Sequence, residues 1–322
     1  MPSLKEIKTR IASVNNTRKI TSAMKMVASS KLHHAQVAIQ NMLPYENLLE
    51  HILKTFLAST QEAESPFEKE RAEVKKVALV VFSSNSSLCG GFNGNIIKLM
   101  QQTVEEYRQK GIDEITIYPI GRKVAEKAQK LGYTVTGDYT ELADKPEAKQ
   151  CAEISKELSA KFLNKEVDRV ELIYHHFKSA GSQILTRKVF LPIDLTTGIG
   201  VDNDRDLSSN VVTAKAQEYL RNKQQKQQTV AESVKPLNDN FIVEPDLETV
   251  LRTLTPKLLN LMVYTALLDS NASEHAARMV AMQTATDNAD DLLRALNLQY
   301  NKSRQQAITS ELLDIVGGSV NN

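Results

Sequence analysis

The chain has 322 residues, 41% of them hydrophobic and 25% charged, which is the make-up of a folded globular protein rather than a disordered or fibrous one. Lys and Arg (40) nearly balance Asp and Glu (39), which removes total charge as a reason to bind nucleic acid or anionic lipid. The 5% aromatic content, with no Trp, is lean for an enzyme with an aromatic-lined pocket.

The first ~57 residues read as one helix. Ser3-Leu4-Lys5-Glu6 has the spacing of a capping box, in which each of the two polar side chains satisfies a backbone donor of the first turn. No Gly occurs before Gly90, and Pro44 is the only Pro between the cap and residue 57. Leu4, Ile7, Ile11, Val14, Thr21, Ala28, Leu32, Ala35, Ile39 and Met42 recur at alternating three- and four-residue steps. Arg18 and Lys25 fall into the same stripe, so it is a narrow seam rather than a broad core face. A helix of this length would extend roughly 85 Å at ~1.5 Å per residue, more than a compact domain can hold. Its charge is one-sided: from Met1 to Gln36 seven basic residues stand against Glu6 alone, a local net charge of +6 that points to an acidic partner.

A Glu-, Pro- and Lys-rich stretch from Gln61 to Lys76 closes this pattern. Val77 to Phe82 is then a short apolar run of the buried-strand type. A glycine loop follows, Cys89-Gly90-Gly91-Phe92-Asn93-Gly94, and a helix to about Lys110. Strand Ile115–Ile120, helix Arg122–Leu131, a short strand at Thr134–Thr136, a helix from about Pro146 to Leu163 and strand Arg169–Lys178 come next. A turn at Ser179-Ala180-Gly181 leads into a last strand, Gln183–Leu191. Alternating strands and helices predict a central Rossmann-like, mostly parallel α/β domain with one hairpin at its end. Residues 198–239 are polar and Gln-rich and are expected to form a surface insertion. Glu244-Pro245-Asp246 opens a second long helix to about Val316, kinked near Pro256 and stopped by Gly317-Gly318.

The expected fold class is therefore α/β, with a long antiparallel two-helix coiled coil formed by the N- and C-terminal helices beside the central domain. The boundaries are 1–60 for the first shaft helix, 75–195 for the α/β domain, 196–244 for the polar linker and 245–322 for the second shaft helix. Ala28 is expected to face a residue between Thr284 and Ala295.

Chemistry-bearing constellations are sparse. The glycine loop is neither GxGxxG nor GxxxxGK[ST], and no ribose-binding acid follows it, so its glycines read as those of a tight strand-to-helix turn. His33-His34 on a helix point about 100° apart, and His175-His176 on a strand face opposite sides. Neither pair can clamp a metal by itself. Cys89 and Cys151 form no metal-ligand or disulfide framework, which fits a reducing cytosol. No apolar run approaches the ~20 residues that cross a bilayer. MPSLKEIKTR lacks the core of a secretory signal and any Arg/Ser-rich presequence, so a bacterial cytoplasmic protein is expected.

Ile11-Ala12-Ser13-Val14-Asn15-Asn16-Thr17-Arg18-Lys19-Ile20-Thr21-Ser22-Ala23-Met24-Lys25-Met26-Val27-Ala28 and the residues to Leu32 resemble the N-terminal signature of the gamma subunits of rotary F-type ATP synthases. Ser273-Glu274-His275-Ala276-Ala277-Arg278-Met279-Val280-Ala281-Met282-Gln283, Thr286 to Ala289, and Tyr300 to Leu312 resemble its C-terminal counterparts. Leu88 to Asn93 is similar to the family's loop after the first strand. The resemblance implies a non-catalytic rotor shaft with no cofactor and no metal. Its coil threads the alpha/beta hexamer, and its α/β domain sits on the epsilon subunit and the membrane c-ring. It further implies a peripheral protein on the cytoplasmic face of the bacterial inner membrane, with no nucleic-acid partner and no small-molecule substrate of its own.

Carried across residue by residue, Met24 and Arg278 meet the lever region of a beta subunit, and Arg304, Gln305 and Thr309 meet its catch loop. Arg18, Lys19, Lys25 and Lys31 form a basic collar toward acidic surface on the hexamer. The segment from Gly198 to about Asp239 is longer than the usual family connection, and the paired-cysteine insert of chloroplast forms is absent. Two rival readings stand beside this one: a basic helical hairpin that grips RNA, and an α/β domain that binds nucleotide as an enzyme.

Overall fold

The computed structural model describes residues 3–59, 67, 73–193, 244 and 246–320, and the polar stretch 198–239 lies outside them. The chain falls into two compact units, one of residues 1–28 with 278–322 and the other of residues 29–277.

Helix α1 spans Leu4–Ser59 and contains Pro44. Its capping box forms as the sequence predicts: the Ser3 amide donates to Glu6 Oε2 at 2.9 Å and the Glu6 amide to Ser3 Oγ at 3.3 Å. The C-terminal helix, here α6, spans Leu247–Val320 and contains Pro256. Asp246 caps it, accepting from the Thr249 amide and hydroxyl, both at 2.8 Å. The helix runs through Gly317-Gly318 to Val320, four residues past the expected stop at Val316. Glycine permits a left-handed C-cap but does not impose one, and a helical glycine costs only ~1 kcal/mol against alanine.

In the first unit the seam appears as two rows at heptad spacing. The buried side chains are Ile7, Thr21 and Ala28 on α1, and Met282, Ala289 and Leu296 on α6. Ile11, Val14 and Leu293 are half-buried at the intermediate steps. Two bonds set direction and register: Arg18 Nη1 to Asp290 Oδ1 at 2.8 Å, and Thr21 Oγ1 to Thr286 Oγ1 at 2.8 Å. As the residue number climbs on α1 it falls on α6, so the pair is antiparallel. Carried forward, this register brings Ala28 level with Met279, which corrects the range Thr284–Ala295 expected from the sequence. Periodicity determines which face a residue occupies and leaves the axial stagger open.

The second unit is built on a five-stranded sheet in the order β3-β2-β1-β4-β5. The strands are β1 Lys76–Phe82, β2 Glu114–Ile120, β3 Thr134–Val135, β4 Arg169–Ser179 and β5 Ser182–Leu191. β1 runs parallel to β2 and β4, β2 parallel to β3, and only β5 is antiparallel. The connecting helices are α2 Phe92–Gln109, α3 Arg122–Lys130, α4 Thr140–Asp144 and α5 Ala148–Leu163. The single turn α4 is absent from the sequence reading because five residues carry no helical period.

Both sheet faces are covered, as the unbroken apolar run of β1 requires. Ala78, Val80, Phe82, Tyr118, Leu172 and Tyr174 face one core with Leu158 of α5, Leu49 of α1, and Leu258, Leu259 and Ala266 of α6. Val77, Leu79, Val81, Ile117 and Ile173 face the other with Ile96 and Met100 of α2 and Val124 of α3. Each of the buried Val, Leu, Ile, Phe and Met side chains contributes about 1.5–3 kcal/mol by leaving water.

Candidate partner-binding site

The residues singled out for partner contact do not converge on one cavity; they lie along two helices. Met24 and Arg278 are half-buried members of the first unit, and Arg304, Gln305 and Thr309 are exposed on the same stretch of α6. Arg304 and Gln305 are successive on the helix, and Thr309 is one turn beyond Gln305. The Thr309 hydroxyl donates to the Gln305 carbonyl at 2.8 Å, so toward an outside group it is an acceptor. Donation from this cluster is left to the Arg304 guanidinium and the Gln305 amide.

The basic collar is less uniform than its sequence suggests. Arg18 is paired with Asp290, the two side chains being 41% and 43% exposed. Part of its charge is therefore answered inside the chain. Lys19 and Lys31 are exposed and Lys25 is half-buried, with Lys31 belonging to the second unit.

Sequence reasoning missed an apolar feature of the same region. Ile20, Met26, Val27, Val280, Leu298, Ile308, Leu312 and Leu313 are all exposed although the seam between the helices is already filled. The available signal is position: each of these apolar residues falls off the three-four repeat that defines the seam.

In the second unit the glycine loop is closed on itself. Leu88 and Gly90 adopt left-handed backbone, φ 64° and 57°, which turns the chain from β1 into α2. The Asn93 side chain accepts from the Ser84 amide at 3.1 Å and donates to the Ser84 hydroxyl at 2.8 Å and the Ser86 carbonyl at 3.2 Å. These bonds make the turn reading of the glycines concrete, with Asn93 as its staple.

The adjacent histidines of β4 do face opposite sides of the sheet. His175 stacks on Phe92 with ring centroids 4.5 Å apart, and burial pulls its pKa down to about 4, so it is neutral. His176 Nδ1 lies 2.7 Å from Asp269 Oδ2 on α6.

The buried carboxylate of Glu171 on β4 accepts from the Tyr107 hydroxyl at 2.6 Å, Arg169 Nε at 3.0 Å and Arg187 Nε at 2.6 Å. Burial alone would raise its pKa, but these bonds outweigh it and hold the group below the ordinary carboxylate range. Tyr107 is in turn pushed up to about 12, by burial and then by Glu171. The network ties α2 to the β4–β5 hairpin.

Cys89 and Cys151 are both free and buried, and burial pushes the Cys151 thiol up to about 12. Among the described residues no group of three His, Cys, Asp or Glu side chains is arranged to hold a metal ion, and no helix is long and apolar enough to cross a membrane.

Comparison with known proteins gives one consistent result. The family described as ATP synthase matches residues 3–320. An ATP synthase gamma chain of Phocaeicola vulgatus is 53% identical over 99% of this chain and 100% of its own length. Its counterpart in Flavobacterium johnsoniae is 40% identical over 99% of this chain and 98% of its own. Among solved structures, a chain of the Euglena gracilis mitochondrial ATP synthase, in an assembly of OSCP, F1 and c-ring, aligns with a TM-score of 0.61. It is 17% identical and covers 98% of this chain and 93% of its own. A chain from the central stalk and c-ring of the Tetrahymena thermophila mitochondrial enzyme aligns with a TM-score of 0.51 at 23% identity, over 83% of this chain and 99% of its own. At these identities the two solved structures speak for the fold.

Proposed function

The chain belongs to the ATP synthase gamma-chain family, and from that premise we propose that it is the central rotor shaft of an F-type enzyme. It couples ion flow through a membrane rotor ring to ATP synthesis or hydrolysis in an alpha/beta hexamer by rotation. It has no catalytic site of its own. Its partners are the hexamer, the epsilon subunit and the c-ring, and it is held peripherally at the cytoplasmic face of a bacterial membrane. Residues 1–60 and 245–322 serve as the shaft helices, 75–195 as the domain at its foot, and 196–244 as an insertion.

The surface of the first unit carries this reading. Met26, Val27, Leu298, Leu312 and Leu313 are 66, 59, 72, 58 and 66% exposed on helices that have already filled the seam between them. In this reading these side chains are covered by a partner in the working protein. Apolar contact is non-directional, so a smooth apolar wall can guide a turning shaft without choosing an angle. Angle selection falls to directional groups. Arg304 and Gln305 donate to acceptors on one beta subunit at a time, each charge-assisted bond contributing about 1.5–3 kcal/mol while it lasts. Met24 and Arg278 meet the lever region, and Thr309 accepts beside Gln305. Lys19, Lys25 and Lys31, with what remains of Arg18, steer weakly, since exposed pairs contribute about 0–1 kcal/mol each.

Steady-state ATP hydrolysis by the reconstituted complex tests the assignment. Arg304→Ala combined with Gln305→Ala is expected to cut multisite turnover at least tenfold, from the loss of about 1.4 kcal/mol or more. Lys19→Ala should change turnover less than twofold, and single-site nucleotide binding should be unaffected in both. Equal, minor effects from the two variants would overturn the residue roles.

A further inference from the structure

Residues 266–276 of α6 are buried without a break, three turns of helix enclosed on every face. A helix lying on a core buries one stripe, so a fully enclosed one passes through its surroundings. Six of the eleven residues are polar or charged: Asp269, Ser270, Asn271, Ser273, Glu274 and His275. Burying such groups is unfavourable unless they are hydrogen-bonded. Three of the bonds go to the α/β domain. His176 Nδ1 of β4 is hydrogen-bonded to Asp269 Oδ2 at 2.7 Å, the Ser273 hydroxyl donates to the His175 carbonyl at 3.2 Å, and the Asn271 amide donates to the Ala143 carbonyl of α4 at 3.0 Å. Asp269 and Ser273 are one turn apart on one face, and Asn271 points roughly 160° away from Asp269. The helix is thus gripped from two sides by bonds that have direction. Apolar packing alone would let it slip or roll by a fraction of a turn, whereas these bonds are satisfied at one axial and rotational setting.

The geometry points to this clamp as the joint through which rotation of the α/β domain is passed to α6, with His176 and Asp269 as its positioning pair. The inference rests on the rotor-shaft reading above. They act by holding the register between the sheet and the helix, and α6 continues from the clamp as one helix to Val320. A loosened clamp softens the shaft, so it should matter little when the motor turns freely and much when it works against a load.

The test uses the reconstituted complex. The double variant His176→Leu with Asp269→Leu removes both partners of the bond together, so neither is left buried facing the other's empty place, and its urea midpoint is measured beside wild type to confirm that the chain folds. The exchange variant, His176→Asp with Asp269→His, restores the bond with its partners swapped. Unloaded ATP hydrolysis should stay within twofold of wild type in both. Ion pumping against an opposing gradient should fall at least threefold in the double Leu variant and recover in the exchange variant. The torsional stiffness between a probe on the α/β domain and the hexamer should follow pumping. Unchanged pumping and stiffness, or hydrolysis and pumping falling together without recovery on exchange, would overturn the joint. The rotor reading fails separately, if the wild-type chain confers no ion-coupled turnover on the hexamer.

Discussion

The two units solve the burial problem in opposite ways. The unit of residues 29–277 covers both faces of a sheet, and side chains such as Leu79, Ile117 and Ile96 are sealed from water completely. The unit of residues 1–28 and 278–322 has one seam, whose deepest positions include small or polar residues: Thr21, Ala28 and Ala289. A two-sided core stabilises itself, while a single seam between two helices leaves most of each helix facing outward. What faces outward includes apolar side chains as well as charges. One unit therefore seals its central side chains on two sides, and the other has a single seam to bury them in.

The contrast can be broken at its strongest point. Gly121, between β2 and α3, has φ 104°, and a Cβ there would lie 2.2 Å from the Ser83 carbonyl oxygen. Gly121→Ala should destabilise the chain by more than about 4 kcal/mol, combining left-handed strain with a backbone clash. Urea denaturation reads this directly. A loss under 1 kcal/mol would mean that the domain is far more plastic than its packing implies.

A middle-sized effect concerns acid. The folded-state pKa of His175 is about 4, below the ~6.5 of an unfolded chain. The unfolded chain therefore takes up a proton that the folded one refuses. The stability this group contributes is complete above about pH 6.5 and is lost as pH falls toward 4, at up to ~1.4 kcal/mol per pH unit. His175→Phe preserves the stack on Phe92 and should remove that part of the slope. Urea midpoints at pH 7.5, 6 and 5 for the two proteins would show parallel curves if the idea is wrong.

The smallest effect is expected in the coil. Arg18→Ala breaks an ion pair whose partners are each about two-fifths exposed and should cost about 0–1 kcal/mol. Thr21→Ala, which removes a half-buried hydroxyl bond to Thr286, should cost about 1 kcal/mol. Thermal melts of the two variants suffice. Losses matching that of Gly121→Ala would show the coil to be as self-sufficient as the domain.

Much of this organisation was legible in the residues themselves. The three-four repeat from Ile7 to Met42 identified the buried side of α1, because a seven-residue repeat on a helix returns to one face. Ser3 and Glu6 announced the helix start, the unbroken apolar run of β1 announced a strand covered on both sides, and the adjacent histidines of β4 had to face opposite ways. Local geometry settles each of these, so composition and spacing were enough.

The rest needed the chain to fold. The stagger that brings Ala28 level with Met279, the pairing of Arg18 with Asp290, and the clamp of His176 on Asp269 join residues 93 to 272 positions apart. No periodicity records such distances. Whether Gly317-Gly318 ends a helix, and whether a basic side chain is offered to a partner or consumed within the chain, are likewise decided by neighbours. The sequence by itself determined which face of each element avoids water, because that depends on 3.6- and 2-residue repeats. Only the tertiary structure decided which groups meet across those faces, because burial is blind to partner identity and hydrogen bonds are not.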